Sequence, residues 1–192
     1  PGEFMNRLRD EHITIACGVP TMWNAMLQKA DGYQPADFAD LRLACSGGAS
    51  MPGEVMRELA EKFGCTILEG YGLTETAGTA TFRNLDGTPK TGTVGTVLPG
   101  FTIEIRDPDG VVLAADEVGE IMISGPTVMT GYWNRPEATA AELVDGWLKT
   151  GDLGSMDIDG DVRIVDRAKD LIIRGGYNVY PREVEEVLYT HP

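Results

Sequence analysis

The sequence is poor in the side chains that build metal centres and catalytic relays. Its 192 residues include two histidines, His12 and His191, and three cysteines, Cys17, Cys45 and Cys65, with no CxxC pair. A zinc site or a disulfide framework needs clustered cysteines, and a serine or cysteine relay needs a histidine beside the nucleophile. The sequence therefore argues against these sites, and its few thiols fit a reducing, cytoplasmic location.

Basic charge and long apolar runs are also scarce. Sixteen Lys and Arg residues stand against thirty Asp and Glu, which gives a formal net charge of −14. Nucleic-acid binding needs a basic surface, so this balance argues against a nucleic-acid partner. It does not exclude a nucleotide, because a few backbone N–H groups can hold a phosphate. With no apolar run of about 18 residues, the sequence predicts no transmembrane segment.

The order of apolar runs predicts an α/β fold in residues 6–90. Strands are expected at 12–17, 41–46 and 66–70, and helices follow Pro20 and Pro52. Strands that alternate with helices form a parallel sheet with flanking helices. This part is interpreted as an incomplete piece of a large amino-terminal domain. Residues 1–5 are interpreted as a cloning remainder and set aside from the fold.

Shorter strands and turns predict a different architecture in residues 91–166. Strands are expected at 101–106, 119–124 and 161–165, interrupted by a short helix near 136–143. The turns between them contain Asp-Gly pairs, which favours a small, mostly antiparallel, β-barrel-like subdomain. The acidic segment 157–161 is interpreted as a β-turn, because its glycine is misplaced for a calcium loop.

Residues 167–192 are predicted to be a hinge and the start of a truncated α+β carboxy-terminal lid domain. A strand at 170–174 is followed by a helix from Pro181, with Val184, Val187 and Leu188 expected to face inward.

Two loops follow predicted parallel strands, where ligands of α/β proteins bind. Gly47 and Gly48 would let a flat ligand or phosphate approach the backbone, although such glycines taken alone more often mark only a tight strand-to-helix turn. In the second loop Tyr71 offers a ring for stacking, Thr74 a phosphate contact and Glu75 a carboxylate for Mg²⁺. The alternative makes Thr74 a helix cap and Glu75 an ordinary first-turn acid.

Two later residues could bind a nucleotide. Asp152 could accept hydrogen bonds from two ribose hydroxyls, although an Asp after Thr-Gly is also common in turns. Arg167 could bind a ribose or phosphate oxygen, although charges in a linker are usually only solvated.

Six ordered segments resemble the adenylate-forming superfamily, which includes acyl-CoA synthetases, firefly-luciferase-type enzymes and peptide-synthetase adenylation domains. They are GVPT (18–21), SGGA (46–49), EGYGLTET (69–76), GEIMISGPTVMTGYWNRPEAT (119–139), GWLKTGDLG (146–154) and DRAKDLIIRGGYNVYPREVE (166–185). The resemblance covers nearly the whole chain from about residue 13. The GYWNRPEAT and NVYPREVE stretches are more similar to acyl-CoA ligases than to amino-acid adenylation domains. GVPTMW is similar to medium- or long-chain fatty-acid enzymes.

The resemblance implies a ligase that uses ATP, Mg²⁺ and CoA. Attack of a carboxylate on the α-phosphate of ATP would give an acyl-adenylate and pyrophosphate, and attack of the CoA thiol on the acyl carbon would then release AMP. Thr74 and Glu75 are the implied catalytic residues, with Glu75 holding the metal. The implied nucleotide-binding residues are Gly47, Gly48, Ala49, Glu69, Gly70, Tyr71, Gly72, Thr74, Asp152 and Arg167.

The resemblance also assigns more specific roles. Tyr71 would stack on adenine, and Gly72 would leave room for the acyl group. Asp152 would bind the ribose, assisted by Arg167. Lys169 occupies the hinge position, where the family often has Asp. The implied path for CoA is lined by Gly175 and Gly176.

Two motifs of the superfamily have no counterpart in these 192 residues. They are a phosphate loop ending in Lys-Gly, expected upstream of Ile13, and a catalytic lysine, expected beyond Pro192. The chain is therefore expected to be an inactive middle portion of a longer enzyme, with exposed apolar surfaces that favour self-association. Three alternatives remain: an enzyme that loads a carrier protein, a non-catalytic nucleotide-binding module, and a structural fragment without ligand affinity.

Overall fold

The computed structural model describes residues 1–83, 90, 92–175 and 177–189. Two compact units divide between Gly70 and Tyr71. The sequence predicted a domain boundary between residues 90 and 91. Residue 91 lies outside the described residues, and a domain boundary there stays a prediction. Among the described residues, no helix is long and apolar enough to cross a membrane.

The first unit is a parallel sheet with helices. Its elements are α1 (Gly2–Asp10), β1 (Ile15–Gly18), α2 (Pro20–Leu27), a 3-10 turn (Pro35–Phe38), β2 (Leu43–Ser46), α3 (Gly53–Phe63) and the start of β3 (Thr66–Leu73). Strands β1 and β2 are parallel, as are β2 and β3. The α/β pattern predicted from alternating strands and helices is therefore confirmed.

Apolar residues at helical spacing explain how this unit packs. On α3, Leu59 and Phe63 are almost completely buried, and on α2 Trp23 is buried with them in one core. Helix α3 ends at Gly64, whose backbone N–H donates to the Ala60 carbonyl at 2.9 Å. Each helix thus buries one apolar face, as its sequence pattern predicted.

Residues 1–5 belong to this fold, which corrects their exclusion above. Pro1 is the N-cap of α1, residues 2–5 form its first turn, and Met5 is completely buried. Leu8, one turn further on, lies in the same core. Met5 and Leu8 are three residues apart, so both lie on one face of the helix. Whether these residues are a cloning remainder stays a prediction.

The second unit is mainly antiparallel. It contains the end of β3, then β4 (Gly78–Phe82), β5 (Thr96–Val97), β6 (Thr102–Arg106), β7 (Gly119–Ser124), α4 (Pro136–Glu142), β8 (Leu143–Val144), β9 (Trp147–Met156), β10 (Val162–Arg167), β11 (Ile172–Arg174), β12 (Tyr177–Val179) and α5 (Pro181–Tyr189). One sheet has the order β10-β9-β7-β6, with β8 paired to β9. The predicted antiparallel subdomain is confirmed, and β11, β12 and α5 form the α+β segment that follows it.

Alternation along two neighbouring strands builds the core of this sheet. Ile103 and Ile105 of β6 lie opposite Ile123 and Ile121 of β7, and all four are buried. Side chains of a strand point alternately to its two faces, so the isoleucines share one face. That face packs with Val162 of β10.

Helix α5 differs from its prediction. Val184, Val187 and Leu188 were expected to face inward, but their exposed fractions are 51%, 70% and 66%. The three residues do form one apolar stripe, as their spacing indicates. The periodicity was therefore interpreted correctly, but the inference of burial was wrong, because no described element covers this stripe.

The acidic turn after β9 is the predicted β-turn. The Gly160 N–H donates to the Asp157 carbonyl at 3.0 Å. Lys90 Nζ lies 2.6 Å from Asp157, 2.7 Å from Asp159 and 3.1 Å from Asp161. One lysine ammonium therefore offsets part of the negative charge of these three carboxylates, and the pKa of Asp157 is lowered chiefly by its hydrogen bond from Lys90.

Candidate functional site

The glycine loop of the first unit follows β2 directly. The Gly47 N–H donates to the Gly18 carbonyl at 3.3 Å, so the ends of β1 and β2 are tied together. Gly48 has φ +79°, a left-handed conformation that favours glycine, and Ala49 is exposed. The tight turn that was the alternative explanation of Gly47 and Gly48 is present, and Ala49 in it is exposed to solvent. Nucleotide binding by these three residues stays a prediction.

Glu69 already has an internal partner in this unit. It is 5% exposed and lies opposite Ser46 in the paired strands β2 and β3. Its Oε1 accepts a hydrogen bond from the Met51 N–H at 3.1 Å. The carboxylate therefore anchors the chain between the glycine loop and α3. Gly70 follows it on β3. Nucleotide binding by Glu69 and Gly70 stays a prediction.

In the second unit, three predicted nucleotide-binding residues lie together. The Tyr71 hydroxyl donates to Asp152 Oδ2 at 2.7 Å, and Arg167 Nε lies 3.3 Å from Asp152 Oδ1. Asp152 is 5% exposed, whereas the Arg167 side chain is 69% exposed. Burial, and then the negative charge of Asp152, raise the pKa of Tyr71. The phenol therefore remains a hydrogen-bond donor at neutral pH.

The position of Asp152 is set by strand pairing. It lies within β9 and directly opposite Arg167 of β10. Its N–H donates to Thr150 Oγ1 at 3.1 Å, and that hydroxyl donates to the Ile121 carbonyl at 2.7 Å. The alternative of an ordinary turn aspartate is therefore wrong, whereas the exposed side chain of Arg167 agrees with the alternative of a solvated charge. Both residues lie on paired strands, where their backbone positions are fixed.

The Thr74–Thr76 turn is capped by a residue other than the expected one. Thr76 Oγ1 accepts from the Leu73 N–H at 2.9 Å and donates to the Gly78 carbonyl at 2.6 Å. The alternative in which Thr74 caps a helix is wrong, because Thr76 satisfies the backbone instead. Thr74 is exposed. No hydrogen bond of its hydroxyl is found within the described part of the chain, so the hydroxyl is free to meet a ligand.

Gly72 has a structural role besides its predicted one. A Cβ at this position would lie 1.8 Å from the Gly78 carbonyl oxygen. Only glycine fits such a close backbone approach. The loop EGYGLTET thus needs this glycine for its own folding, and the predicted space for an acyl group remains a separate prediction.

Glu75, the predicted Mg²⁺ ligand, is held by a tyrosine. The Tyr132 hydroxyl donates to Glu75 Oε1 at 2.7 Å. The pKa of Tyr132 is raised to about 12, chiefly because of this hydrogen bond. Glu75 Oε2 has no hydrogen bond among the residues described here. Mg²⁺ in ATP-dependent sites takes one or two carboxylates plus phosphate oxygens. One carboxylate with an oxygen to spare fits that pattern, and the described residues contain no cluster of three metal-binding side chains.

The predicted hinge and CoA path lie after β10. Lys169 is exposed, in a turn where the Asp170 N–H donates to the Arg167 carbonyl at 3.0 Å. Gly175 is exposed in the connection between β11 and β12. Gly176 lies outside the described residues. The roles of all three stay predictions.

Sequence reasoning missed Tyr132 and Thr150. Tyr132 is in GYWNRPEAT and Thr150 in GWLKTGDLG, so both motifs were recognised without a role for either residue. The missing signal is long-range contact, since Tyr132 meets Glu75 57 residues away. A sequence pattern reports neighbours along a helix or strand and not such contacts.

Comparison with known proteins decides the family. Residues 1–133 match the model of the family described as AMP-binding enzyme. The chain belongs to that family. This confirms the resemblance to adenylate-forming enzymes inferred from the six motifs.

Similar AMP-binding enzymes include a long-chain-fatty-acid–CoA ligase of Yersinia pestis. It is 44% identical over 182 residues, which cover 93% of this chain and 32% of the ligase. A feruloyl-CoA synthase of Amycolatopsis sp. is 40% identical over 195 residues, which cover 100% of this chain and 39% of the synthase. The chain therefore spans about a third or slightly more of these relatives.

A solved structure shows the same fold. O-succinylbenzoate coenzyme A synthetase (MenE) from Bacillus subtilis, in complex with ATP and magnesium ion, superposes with a TM-score of 0.86 and 36% identity. The match covers 100% of this chain and 39% of that one. The chain thus shares the fold of the part of that synthetase with which it superposes.

Proposed function

We propose that the protein carrying this chain is an AMP-forming acid–CoA ligase that activates a fatty acid. The observation that carries the proposal is the group of Tyr71, Asp152 and Arg167, in which a buried carboxylate lies between a phenol and a guanidinium. A carboxylate held in this way can accept hydrogen bonds from ribose hydroxyls. The long-chain-fatty-acid–CoA ligase of Yersinia pestis supports the choice of substrate class.

The residues proposed to bind the nucleotide have separate roles. In the first unit, Gly47, Gly48, Ala49, Glu69 and Gly70 would border the adenine. In the second, Tyr71 would stack on the base, Gly72 would leave room for the acyl group, and Asp152 with Arg167 would hold the ribose. Thr74 would donate its hydroxyl to a phosphate oxygen. Each group then orients ATP so that a carboxylate can attack its α-phosphate.

Glu75 would hold Mg²⁺ through one carboxylate oxygen. The bound ion would neutralise charge that develops on the phosphates. Lys169 would serve as the hinge for a change of conformation between the two half-reactions, and Gly175 and Gly176 would border the path of the CoA thiol. We also propose a cytoplasmic location, which stays a prediction.

The test uses the full-length protein. Purified enzyme is incubated with ATP, Mg²⁺, CoA and either palmitate or ferulate, and acyl-CoA and AMP are quantified by mass spectrometry. We expect palmitoyl-CoA and AMP in equal amounts, and a severe loss of both in Asp152→Ala. Asp109→Ala, which changes an exposed turn aspartate, should retain activity.

Other outcomes separate the alternatives. Ferulate as the better substrate would overturn the fatty-acid assignment and keep the ligase. Product formed only with a phosphopantetheine carrier protein would indicate a carrier-loading enzyme. ATP binding without any acyl product would favour a non-catalytic module. The 192-residue chain by itself is predicted to form no acyl-CoA, because neither the phosphate loop nor the catalytic lysine is among its residues.

A further inference from the structure

One segment of the second unit contacts the Thr74–Thr76 turn at three points. Thr127 Oγ1 donates to the Thr76 carbonyl, and the Met129 N–H donates to the Glu75 carbonyl, both at 2.7 Å. The Tyr132 hydroxyl then donates to Glu75 Oε1, also at 2.7 Å. The first two bonds fix the backbone of the turn. The third alone fixes a side chain, and that side chain is the proposed metal ligand.

Tyr132 is itself held by its own loop and by α4. Its N–H donates to Thr139 Oγ1 at 2.9 Å, and the same hydroxyl donates to the Arg135 carbonyl at 2.9 Å. A Cβ on Gly131 would lie 2.7 Å from Thr139 Cγ2, so the loop lies close against the helix. The phenol therefore reaches Glu75 from a loop whose backbone is hydrogen-bonded both before residue 132, at Met129, and after it, at Arg135.

We infer that Tyr132 is a positioning residue for the Mg²⁺ of the ATP complex, acting through the carboxylate of Glu75. This inference rests on the proposed function, in which Glu75 holds the metal. A hydrogen bond to Oε1 selects one orientation of a flexible side chain and leaves Oε2 for the metal. Partners of this kind orient metal ligands in many sites, and their removal typically weakens metal affinity about 10- to 100-fold.

A purely structural role is the competing explanation, because Tyr132 also fastens its loop. The two roles differ in what they change. A structural bond affects stability alone, whereas a positioning bond affects metal affinity even when the fold is intact. Tyr33→Phe provides a matched control. The Tyr33 hydroxyl donates to Asn6 Oδ1 at 2.7 Å in the first unit, so this change removes a bond of the same length away from Glu75.

The experiment measures the binding of Mn²⁺ to full-length protein that is saturated with a non-hydrolysable ATP analogue. Mn²⁺ serves as a spectroscopic substitute for Mg²⁺. Electron paramagnetic resonance gives free Mn²⁺ directly, and calorimetry in EDTA gives nucleotide affinity without metal. We expect Tyr132→Phe to weaken Mn²⁺ binding about tenfold and to leave metal-free nucleotide affinity unchanged. Tyr33→Phe should match the wild type in both measurements.

Glu75→Gln completes a double-mutant cycle. If Tyr132 acts through Glu75, Glu75→Gln weakens Mn²⁺ binding and adding Tyr132→Phe weakens it no further. A wild-type Mn²⁺ affinity in Tyr132→Phe, or an equal additional loss on the Glu75→Gln background, would overturn the inference and leave the proposed function standing. A wild-type Mn²⁺ affinity in Glu75→Gln would instead remove the proposed role of Glu75, and the inference with it.

Discussion

Tyr71 and Asp152 show how a buried charge is kept in this protein. Asp152 is 5% exposed and receives both the Tyr71 hydroxyl and the Arg167 guanidinium. Burial of a carboxylate is costly unless hydrogen bonds and opposite charge offset it. The two partners meet that need together, since each contacts a different oxygen of the carboxylate.

Replacement of Tyr71 by Phe tests this arrangement. The change removes one hydrogen bond to a charged, buried acceptor, so we expect the free energy of unfolding to fall by about 2 kcal/mol near pH 7. Urea unfolding followed by circular dichroism measures it. Tyr33→Phe, which loses a bond to a neutral and exposed side chain, should cost less. An equal loss in the two variants would contradict the importance of the buried charge.

The pH dependence of the same variant is a second prediction. The folded pKa of Tyr71 is raised above its ordinary value of 10.0, first by burial and then by Asp152. Above pH 10 the unfolded chain loses this proton while the folded protein keeps it, so stability falls as pH rises. Below pH 10 the contribution is fully present. Tyr71→Phe should lack this part of the alkaline loss, so the difference in the free energy of unfolding between the two proteins should stay constant below about pH 10 and shrink as the pH rises above it.

At the scale of elements, the loop after β3 depends on close backbone contact. Gly72 lies where a Cβ would meet the Gly78 carbonyl oxygen at 1.8 Å, whereas a Cβ on Gly47 would meet the Gly70 carbonyl oxygen at an ordinary 3.5 Å. Both glycines are in motifs that were recognised in the sequence for ligand binding. Only the structure separates the glycine that the fold requires from the one that it tolerates.

Alanine substitutions at these two positions should therefore differ. Gly72→Ala forces the strands β3 and β4 apart, and we expect a loss of at least about 3 kcal/mol or failure to fold. Gly47→Ala should cost no more than about 1 kcal/mol. Thermal unfolding of the two purified variants provides the comparison. A Gly72→Ala protein as stable as Gly47→Ala would show that the turn can move without cost.

At the scale of the whole molecule, the stripe on α5 is an exposed apolar surface. Val184, Val187 and Leu188 lie on one side of this helix and are all more than half exposed. Exposed apolar patches favour association. The sequence predicted self-association of this chain, and the position of the stripe gives that prediction a specific surface.

Charged substitutions on this stripe are the test. The 192-residue chain should associate with rising concentration in sedimentation velocity, and Val187→Glu with Leu188→Glu should shift it towards monomer. Ile158→Glu places one such charge on an exposed apolar residue of the turn after β9, and should leave association unchanged. A monomer at all concentrations, or an equal effect of the control, would rule out this surface.

Much of the fold follows from local patterns. Alternating strands and helices indicated the parallel unit, and Asp-Gly turns indicated the antiparallel one, because side-chain periodicity and turn chemistry act over a few residues. Helix α1 was missed because residues 1–5, which include its first turn, were set aside as a remainder. Strand β9 was missed because its Thr-Gly-Asp segment has the composition of a turn, and Gly151 does adopt a positive φ of +69°. Pairing of the flanking residues with β7 and β10 keeps the strand continuous.

The sequence by itself determined the family and the residues that carry its motifs, since the order of the six segments depends on no contact. Tertiary structure alone decided which of these residues meet. It placed Arg167 opposite Asp152, gave Glu75 a tyrosine partner and left the α5 stripe exposed. The physical reason is the separation along the chain over which each kind of interaction acts. Periodicity and turn propensity are local, whereas hydrogen bonds between residues 57 or 81 positions apart exist only once the chain has folded.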